Sequence, residues 1–172
     1  MWRVPLSVPP AFHATPTAVH LVEGGSFAFR TYTREGALQS IVRVLEDRVP
    51  VTDQIIGEYK ESQLRSARSD QIRAARRERL EELPFLEFLP ALDRLLVGTD
   101  GTVWVRRYVP EPGDFFVWHS FKSDGEFLGT LEIPAALTPL RFEAGRVLGR
   151  WRGEYDVQSL RIYAIEGVGV GG

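Results

Sequence analysis

The segment from Leu95 to Pro134 constrains the fold most strongly, because it alternates short strand patterns with turn signals. From Val103 to Val109, β-branched or bulky residues alternate with arginines, which is the period of a half-buried strand. Phe115 to Phe121 and Phe127 to Ile133 continue the pattern, and Leu95 to Gly98 supplies a first short strand. Turn signals separate them at Asp100-Gly101, Pro110-Glu111-Pro112-Gly113-Asp114 and Ser123-Asp124-Gly125. The segment therefore predicts four antiparallel strands in one meander sheet.

Two weaker copies of this pattern flank the segment. The turn glycines Gly101 and Gly145, and likewise Gly125 and Gly167, recur at about 40–45 residues, the length of a four-stranded propeller blade. We expect a first blade over about residues 10–45, a second over about 90–134 and a third over about 138–167. All three blades, with the segment between the first two, fit one domain spanning residues 1–172.

The segment of about residues 50–84 interrupts the strand repeat and has a helical pattern. The pattern predicts Ser69 as an N-cap, and acidic Asp70 follows it in the first turn. Pro84 ends the pattern. We expect a helical hairpin inserted between two blades, with its arginines in water and its apolar stripe formed by Ile55, Tyr59, Ile72, Leu80 and Leu83.

Composition limits the classes of function. Hydrophobic residues make up 44% and aromatic residues 11% of the chain, enough for a substantial core. A formal net charge of -2 gives no global attraction to nucleic acid or anionic membranes, so we expect no nucleic-acid partner. Cysteine is absent, which excludes disulfides and thiol chemistry. No apolar run approaches the length of a transmembrane helix, and prolines interrupt the N-terminal residues where a secretory signal would lie.

The strand pattern resembles a known family. Its carriers are Leu95-Leu96-Val97-x-x-Asp100-Gly101-x-Val103-Trp104-Val105 and Trp118-x-x-Phe121-x-x-Asp124-Gly125-x-x-Leu128-Gly129-Thr130. These segments resemble bacterial six-bladed β-propeller proteins of the NHL/TolB-like kind, in their C-terminal part. Full members of this kind have about six blades, so the resemblance implies that this chain is a fragment of a longer protein, has a misassigned start, or assembles with another chain. It also implies a periplasmic or cell-envelope location if an upstream signal peptide exists; the chain itself leaves the compartment unknown.

The predicted fold class is therefore mainly β: a partial β-propeller of about three four-stranded antiparallel meander sheets, with a helical insertion between blades. In an open arc of this kind, the first and last blades each leave one apolar face uncovered. We expect these faces around Phe27 and Phe29 at the start, and around Val147, Trp151 and Ile162 at the end. The predicted blade core comprises Val103, Val105, Phe121, Leu131 and Leu148.

Catalytic and metal-binding signatures do not stand out in the sequence. The three histidines, His13, His20 and His119, lack the close spacing of a metal motif, so structural or surface roles are favoured. No serine lies in a G-x-S-x-G nucleophile turn. We therefore predict no catalytic residue, no metal site and no cofactor.

Propeller ligands usually bind at the central channel, which the innermost strand of each blade lines. By position, the candidate binding residues are Asp93 and Arg94 before the Leu95 strand, followed by Thr138 and Arg141. A salt-bridge role for Asp93 and Arg94 is the simpler interpretation.

The favoured functional hypothesis is a non-enzymatic binding or interaction propeller whose ligand is an unknown protein or small molecule. Self-association through the exposed blade faces is a possible further interaction. The alternative is a hydrolase- or lactonase-like propeller enzyme whose central site needs blades that this chain lacks. A fragment with a purely structural role is a third hypothesis.

Overall fold

A computed structural model of the chain describes residues 4–23, 26–111 and 113–166. Within these ranges the protein is mainly β, with eleven strands in three antiparallel sheets and two α-helices. The predicted fold class is confirmed at this level. Gly167 and the residues after it lie outside the described ranges, so the end of the predicted third blade is not covered.

The first sheet, here sheet 1, is a four-stranded meander in chain order, as the sequence predicts. Its buried side chains alternate along the second strand, where Ala18, His20 and Val22 face inward and Val19 and Leu21 do not. This period of two gives the sheet one covered face and one open face. The strands are β1 (Ala11–Ala14), β2 (Ala18–Val22), β3 (Ala28–Thr33) and β4 (Leu38–Arg43).

Two helices follow sheet 1, α1 (Asp53–Arg65) and α2 (Asp70–Glu81). The side chain of Ser69 accepts a hydrogen bond from the backbone N–H of Ile72, which confirms it as the N-cap of α2. Among the described residues, neither helix has the length and apolar character needed to cross a membrane.

The packing of the helical hairpin differs from the prediction. Of the residues in the predicted apolar stripe, Leu80 is buried, but Ile72 is 47% exposed. Arg76 is not simply solvated, because its guanidinium donates to the backbone carbonyl of Gln63 and, at 2.7 Å, to the hydroxyl of Ser66. These carbonyl and hydroxyl groups lie at the C-terminus of α1, where free carbonyls and the helix dipole favour a cation.

The second sheet, sheet 2, confirms the meander predicted for the Leu95–Pro134 segment. The turn at Gly125 has φ +95°, a conformation that glycine adopts without steric cost. A Cβ atom at this position would also lie 2.8 Å from Val42 of sheet 1, so the glycine permits close approach of the two sheets. The strands are β5 (Leu92–Val97), β6 (Val103–Arg107), β7 (Phe115–Phe121) and β8 (Phe127–Pro134).

The third sheet, sheet 3, corrects the prediction of four strands, because it has three among the described residues. Its order is β11–β10–β9, so β9 and β11 form its edges. Only a short turn separates Pro134 from the next strand, which leaves no room for an additional strand before it. The strands are β9 (Leu137–Glu143), β10 (Arg146–Arg152) and β11 (Gln158–Ala164).

Sheet 2 is packed between the other two sheets. One of its faces covers sheet 1, and the Phe29 and Phe121 rings meet there edge to face with centroids 5.5 Å apart. Its other face covers sheet 3, where Trp104 and Phe142 stack at 4.3 Å and Trp118 is fully buried. Each interface therefore contains a hydrophobic core of its own, in which aromatic pairs contribute both area and orientation.

The core prediction is confirmed for Val103, Val105 and Phe121, which are buried. It is wrong for Leu131 and Leu148, which are partly buried. Leu131 lies on the outer strand β8 at the margin of the interface with sheet 3. Leu148 is paired across the sheet with Ile162, on the face of sheet 3 that points away from sheet 2.

The prediction of the open faces is wrong for Phe29 and Val147. Phe29 and Val147 are 1% and 3% exposed, because both point towards sheet 2. The open face of sheet 1 is the opposite one, which carries Phe12, Leu38 and Ile41. The open face of sheet 3 carries Leu160 and Ile162, the latter as predicted.

The first strands of the sheets lie side by side. β5 contacts β1 and β2 on one side and β9 on the other. The turn after β5 also meets the end of β9, since the Thr99 N–H donates to the Phe142 carbonyl at 3.1 Å. The hairpin turns that follow β5 and β9 therefore lie at the same end of the stack.

Candidate functional site

A cleft of about 1030 Å³ opens at this end of the stack. All three sheets contribute to its lining: the β1–β2 hairpin from sheet 1, two turns from sheet 2 and the β9 strand from sheet 3. The lining includes His13, His20 and Thr31 from sheet 1, Thr99 and Ser123 from sheet 2, and Arg141 from sheet 3.

Two histidines form one wall of the cleft. His13 in β1 and His20 in β2 are direct cross-strand partners, so their side chains leave the sheet on the same face. His20 is buried, and its Nδ1 lies 3.1 Å from the hydroxyl of Thr31 on the next strand. Thr31 is itself buried. The contact with Thr31 on the neighbouring strand therefore fixes the position of the His20 ring.

The environment of His20 favours its neutral form. Burial lowers its pKa below the ordinary value, and the nearby imidazole of His13 lowers this pKa further. At neutral pH, His20 therefore presents an uncharged imidazole.

Hydroxyl groups dominate the remaining polar lining of the cleft. They belong to serine and threonine side chains from two sheets: Thr15, Thr17, Thr31, Ser40, Thr99 and Ser123. The same lining contains the amide of Gln39 and the guanidinium of Arg141, but no aspartate or glutamate among the described residues. The hydroxyl and amide groups can both donate hydrogen bonds to a polar ligand and accept them from it, whereas the guanidinium can only donate.

The structure separates the residues proposed from sequence as a binding site. Arg141 lines the cleft, with its Nε 3.2 Å from a carboxylate oxygen of Glu143. Thr138 is paired with Arg150 across sheet 3 and is not among the cleft-lining residues. Asp93 and Arg94 are not among them either.

Asp93 has a structural partner. Its carboxylate accepts two hydrogen bonds from Arg106, one of them from Nε at 2.7 Å, and both side chains are largely buried. The Arg106 guanidinium also lies over the Phe116 ring at 4.1 Å. The salt bridge that the sequence suggested for Asp93 thus exists, with Arg106 as the partner.

Arg94 lies close to other cations. Partial burial lowers its pKa, and the nearby charges of Arg106 and Arg150 lower this pKa further. Of these two cations, Arg106 is the cross-strand partner of Arg94 within sheet 2.

The third histidine, His119, belongs to a separate network. Its Nε2 lies 2.8 Å from Glu46 in the segment after β4, and its Nδ1 lies 3.2 Å from the hydroxyl of Thr130. Arg107 also contacts Glu46, at 3.4 Å. When a hydroxyl contacts an imidazole and the imidazole contacts a carboxylate, the imidazole can act as a base and activate the hydroxyl as a nucleophile. Here, however, Thr130 lies on the exposed outer strand β8, outside the cleft, and the network joins the Glu46 segment to sheet 2.

The pairing of His13 with His20 was not predicted from the sequence. Their spacing is not that of a compact metal motif, but it is that of a hairpin. Thr15, Pro16 and Thr17 form a short polar turn between them, and antiparallel pairing about that turn places the histidines opposite each other. Among the described residues, no group of three or more histidine, cysteine, aspartate or glutamate side chains could hold a metal ion.

Comparison with known proteins does not identify a family. No protein-family profile matches the chain, and no curated protein matches its sequence.

The lowered pKa of His20 predicts a loss of stability in acid. The unfolded chain takes up a proton near the ordinary histidine pKa of 6.5, whereas the folded chain does so at lower pH. The free energy of unfolding should therefore fall as the pH decreases from above 6.5 through the folded-state pKa.

Urea denaturation of the wild type and His20→Gln at several pH values would test this expectation. In His20→Gln the free energy of unfolding should fall less on acidification than it does in the wild type. In the control His119→Gln, the part of the fall that is due to His20 should remain. An unchanged pH dependence in His20→Gln would contradict the assignment.

Proposed function

We propose that this chain is a non-enzymatic binding scaffold built from three consecutive blades of a β-propeller, similar to the bacterial NHL/TolB-like proteins. The stacked meander sheets support the proposal, as does the position of β5 between β1 and β9. In a propeller, the first strands of consecutive blades surround a central channel and lie side by side, as β1, β5 and β9 do here. The two glycine turns of sheet 2 match the pattern on which the resemblance rests.

The cleft is the observation that carries the binding role. It draws its lining from all three sheets, and part of that lining comes from the ends of β1, β5 and β9, the strands that would face a central channel. Its volume of about 1030 Å³ is sufficient for a small molecule, and convergent polar groups of the kind found in binding sites line it. We infer that its ligand is a small polar molecule held by hydroxyls, the Gln39 amide and Arg141.

Binding is favoured over the hydrolase- or lactonase-like alternative by the chemistry of this lining. A propeller hydrolase with a central metal requires several inward carboxylates or histidines, and the described cleft residues include two histidines and no carboxylate. The activity would therefore need residues from further blades.

A screen of small polar compounds by two-dimensional amide NMR of the full chain would test the binding role. Compounds that bind should shift the amide signals of Thr99, Gly101 and Ser123, which lie at the cleft. Thr17→Trp should abolish these shifts because its side chain would fill the cleft mouth, whereas Ser159→Trp on β11 should not. Shifts located mainly elsewhere, or unchanged in Thr17→Trp, would contradict the proposal.

We also propose that the two open sheet faces mediate self-association. Phe12 is 71% exposed on sheet 1, and Leu160 and Ile162 are 70% and 66% exposed on sheet 3. In a closed propeller, neighbouring blades cover both faces of every sheet. Apolar faces that remain uncovered favour association with a matching surface, here that of a second copy.

Sedimentation velocity over a range of concentrations would test the self-association. The wild type should form concentration-dependent oligomers, and the double variant Leu160→Glu, Ile162→Glu should shift towards monomer. Leu45→Glu is the matched control, because Leu45 is 96% exposed in the segment between β4 and α1. A wild-type monomer at every concentration would refute this part of the proposal, as would equal association of the double variant.

A further inference from the structure

The two histidines of the cleft, His13 and His20, lie directly opposite each other on neighbouring strands. The chain contains three histidines and no cysteine, and two of the histidines are direct cross-strand partners at this site. We propose that His13 and His20 form a binding site for a divalent transition-metal ion such as Zn²⁺. The inference rests on the proposed binding role of the cleft, which it deepens by naming an ion as part of the site.

The sheet register brings the two imidazoles within reach of one ion. Directly opposed residues of an antiparallel pair have Cβ atoms about 4.5–5.5 Å apart, and both side chains leave the same face. Zinc–nitrogen bonds are about 2.0–2.1 Å long, so one ion between the two rings can contact both. Both histidines also line the open cleft, which gives an ion a path of entry.

The contact between His20 and Thr31 orients the buried ring for this role. Thr31 Oγ1 lies 3.1 Å from Nδ1, so the second ring nitrogen, Nε2, remains for the ion. Metal-binding histidines commonly donate their other ring N–H to an oxygen atom, which fixes the tautomer and the ring orientation. In this arrangement Nδ1–H donates to the threonine hydroxyl, and Thr31 acts as a positioning residue.

Two imidazoles leave part of the coordination sphere open. The described cleft lining offers no carboxylate to close it, so water or a bound ligand would occupy the other positions. Structural zinc sites have four protein ligands, and catalytic sites have three with water or substrate in the fourth position, so two imidazoles supply fewer protein ligands than either class. An ion here would therefore bind more weakly than structural zinc and would present open positions to a polar ligand in the cleft.

Isothermal titration of the full chain with zinc chloride would test the metal site. We expect one ion per chain, with affinity reduced at least tenfold in His13→Gln. The matched control is His119→Gln, which should bind zinc as tightly as the wild type because His119 contacts Glu46 and Thr130 instead. Thr31→Val should weaken binding by about tenfold, the lower range for loss of a supporting hydrogen bond.

His13 is the better site for substitution because it is less buried than His20, whose replacement also removes the buried contact with Thr31. Imidazole NMR of the unaltered chain provides a second readout, in which zinc should shift the ring signals of His13 and His20 but not those of His119. Absence of zinc binding would overturn the metal site, as would wild-type affinity in His13→Gln. Polar compounds that still map to the cleft would then preserve the proposed function without the metal.

Discussion

Burial of sheet 2 on both faces is the constraint on which the rest of the structure depends. Its Phe121 side packs on Phe29 of sheet 1, and its Trp104 side packs on Phe142 of sheet 3. Sheets 1 and 3 each cover a single face of sheet 2, so their own order depends on it. Burial of large side chains contributes roughly 1.5–3 kcal/mol each. Most of the apolar stabilisation of the described stack therefore involves the middle sheet.

The same packing places the cleft. Because β5 lies between β1 and β9, the hairpins at one end of three sheets meet around a common opening. Rigid strands hold the histidine wall, while short turns supply Thr99 and Ser123 opposite it. Binding residues are often on loops that a rigid scaffold positions, which is the arrangement here. Arg141 is the contribution of sheet 3 to the polar lining.

Local patterns in the sequence predicted local structure well, but they could not predict which surfaces meet. Glycine turns such as Gly125 and the N-cap Ser69 follow from backbone chemistry, and both were predicted. Alternation separates Val147 from Leu148, yet it does not say which of their two faces another sheet covers. The register of a hairpin can place His13 opposite His20, but only packing between sheets can create the cleft that they line.

Native-state hydrogen exchange followed by NMR tests the central position of sheet 2 most directly. Amides that open only on global unfolding exchange most slowly, so β5 and β6 should contain the most protected group. The edge strand β11, whose residues are all exposed, should exchange much faster. Slow exchange concentrated in β5 and β6 would support sheet 2 as the shared core layer. Exchange there as fast as in β11 would contradict it.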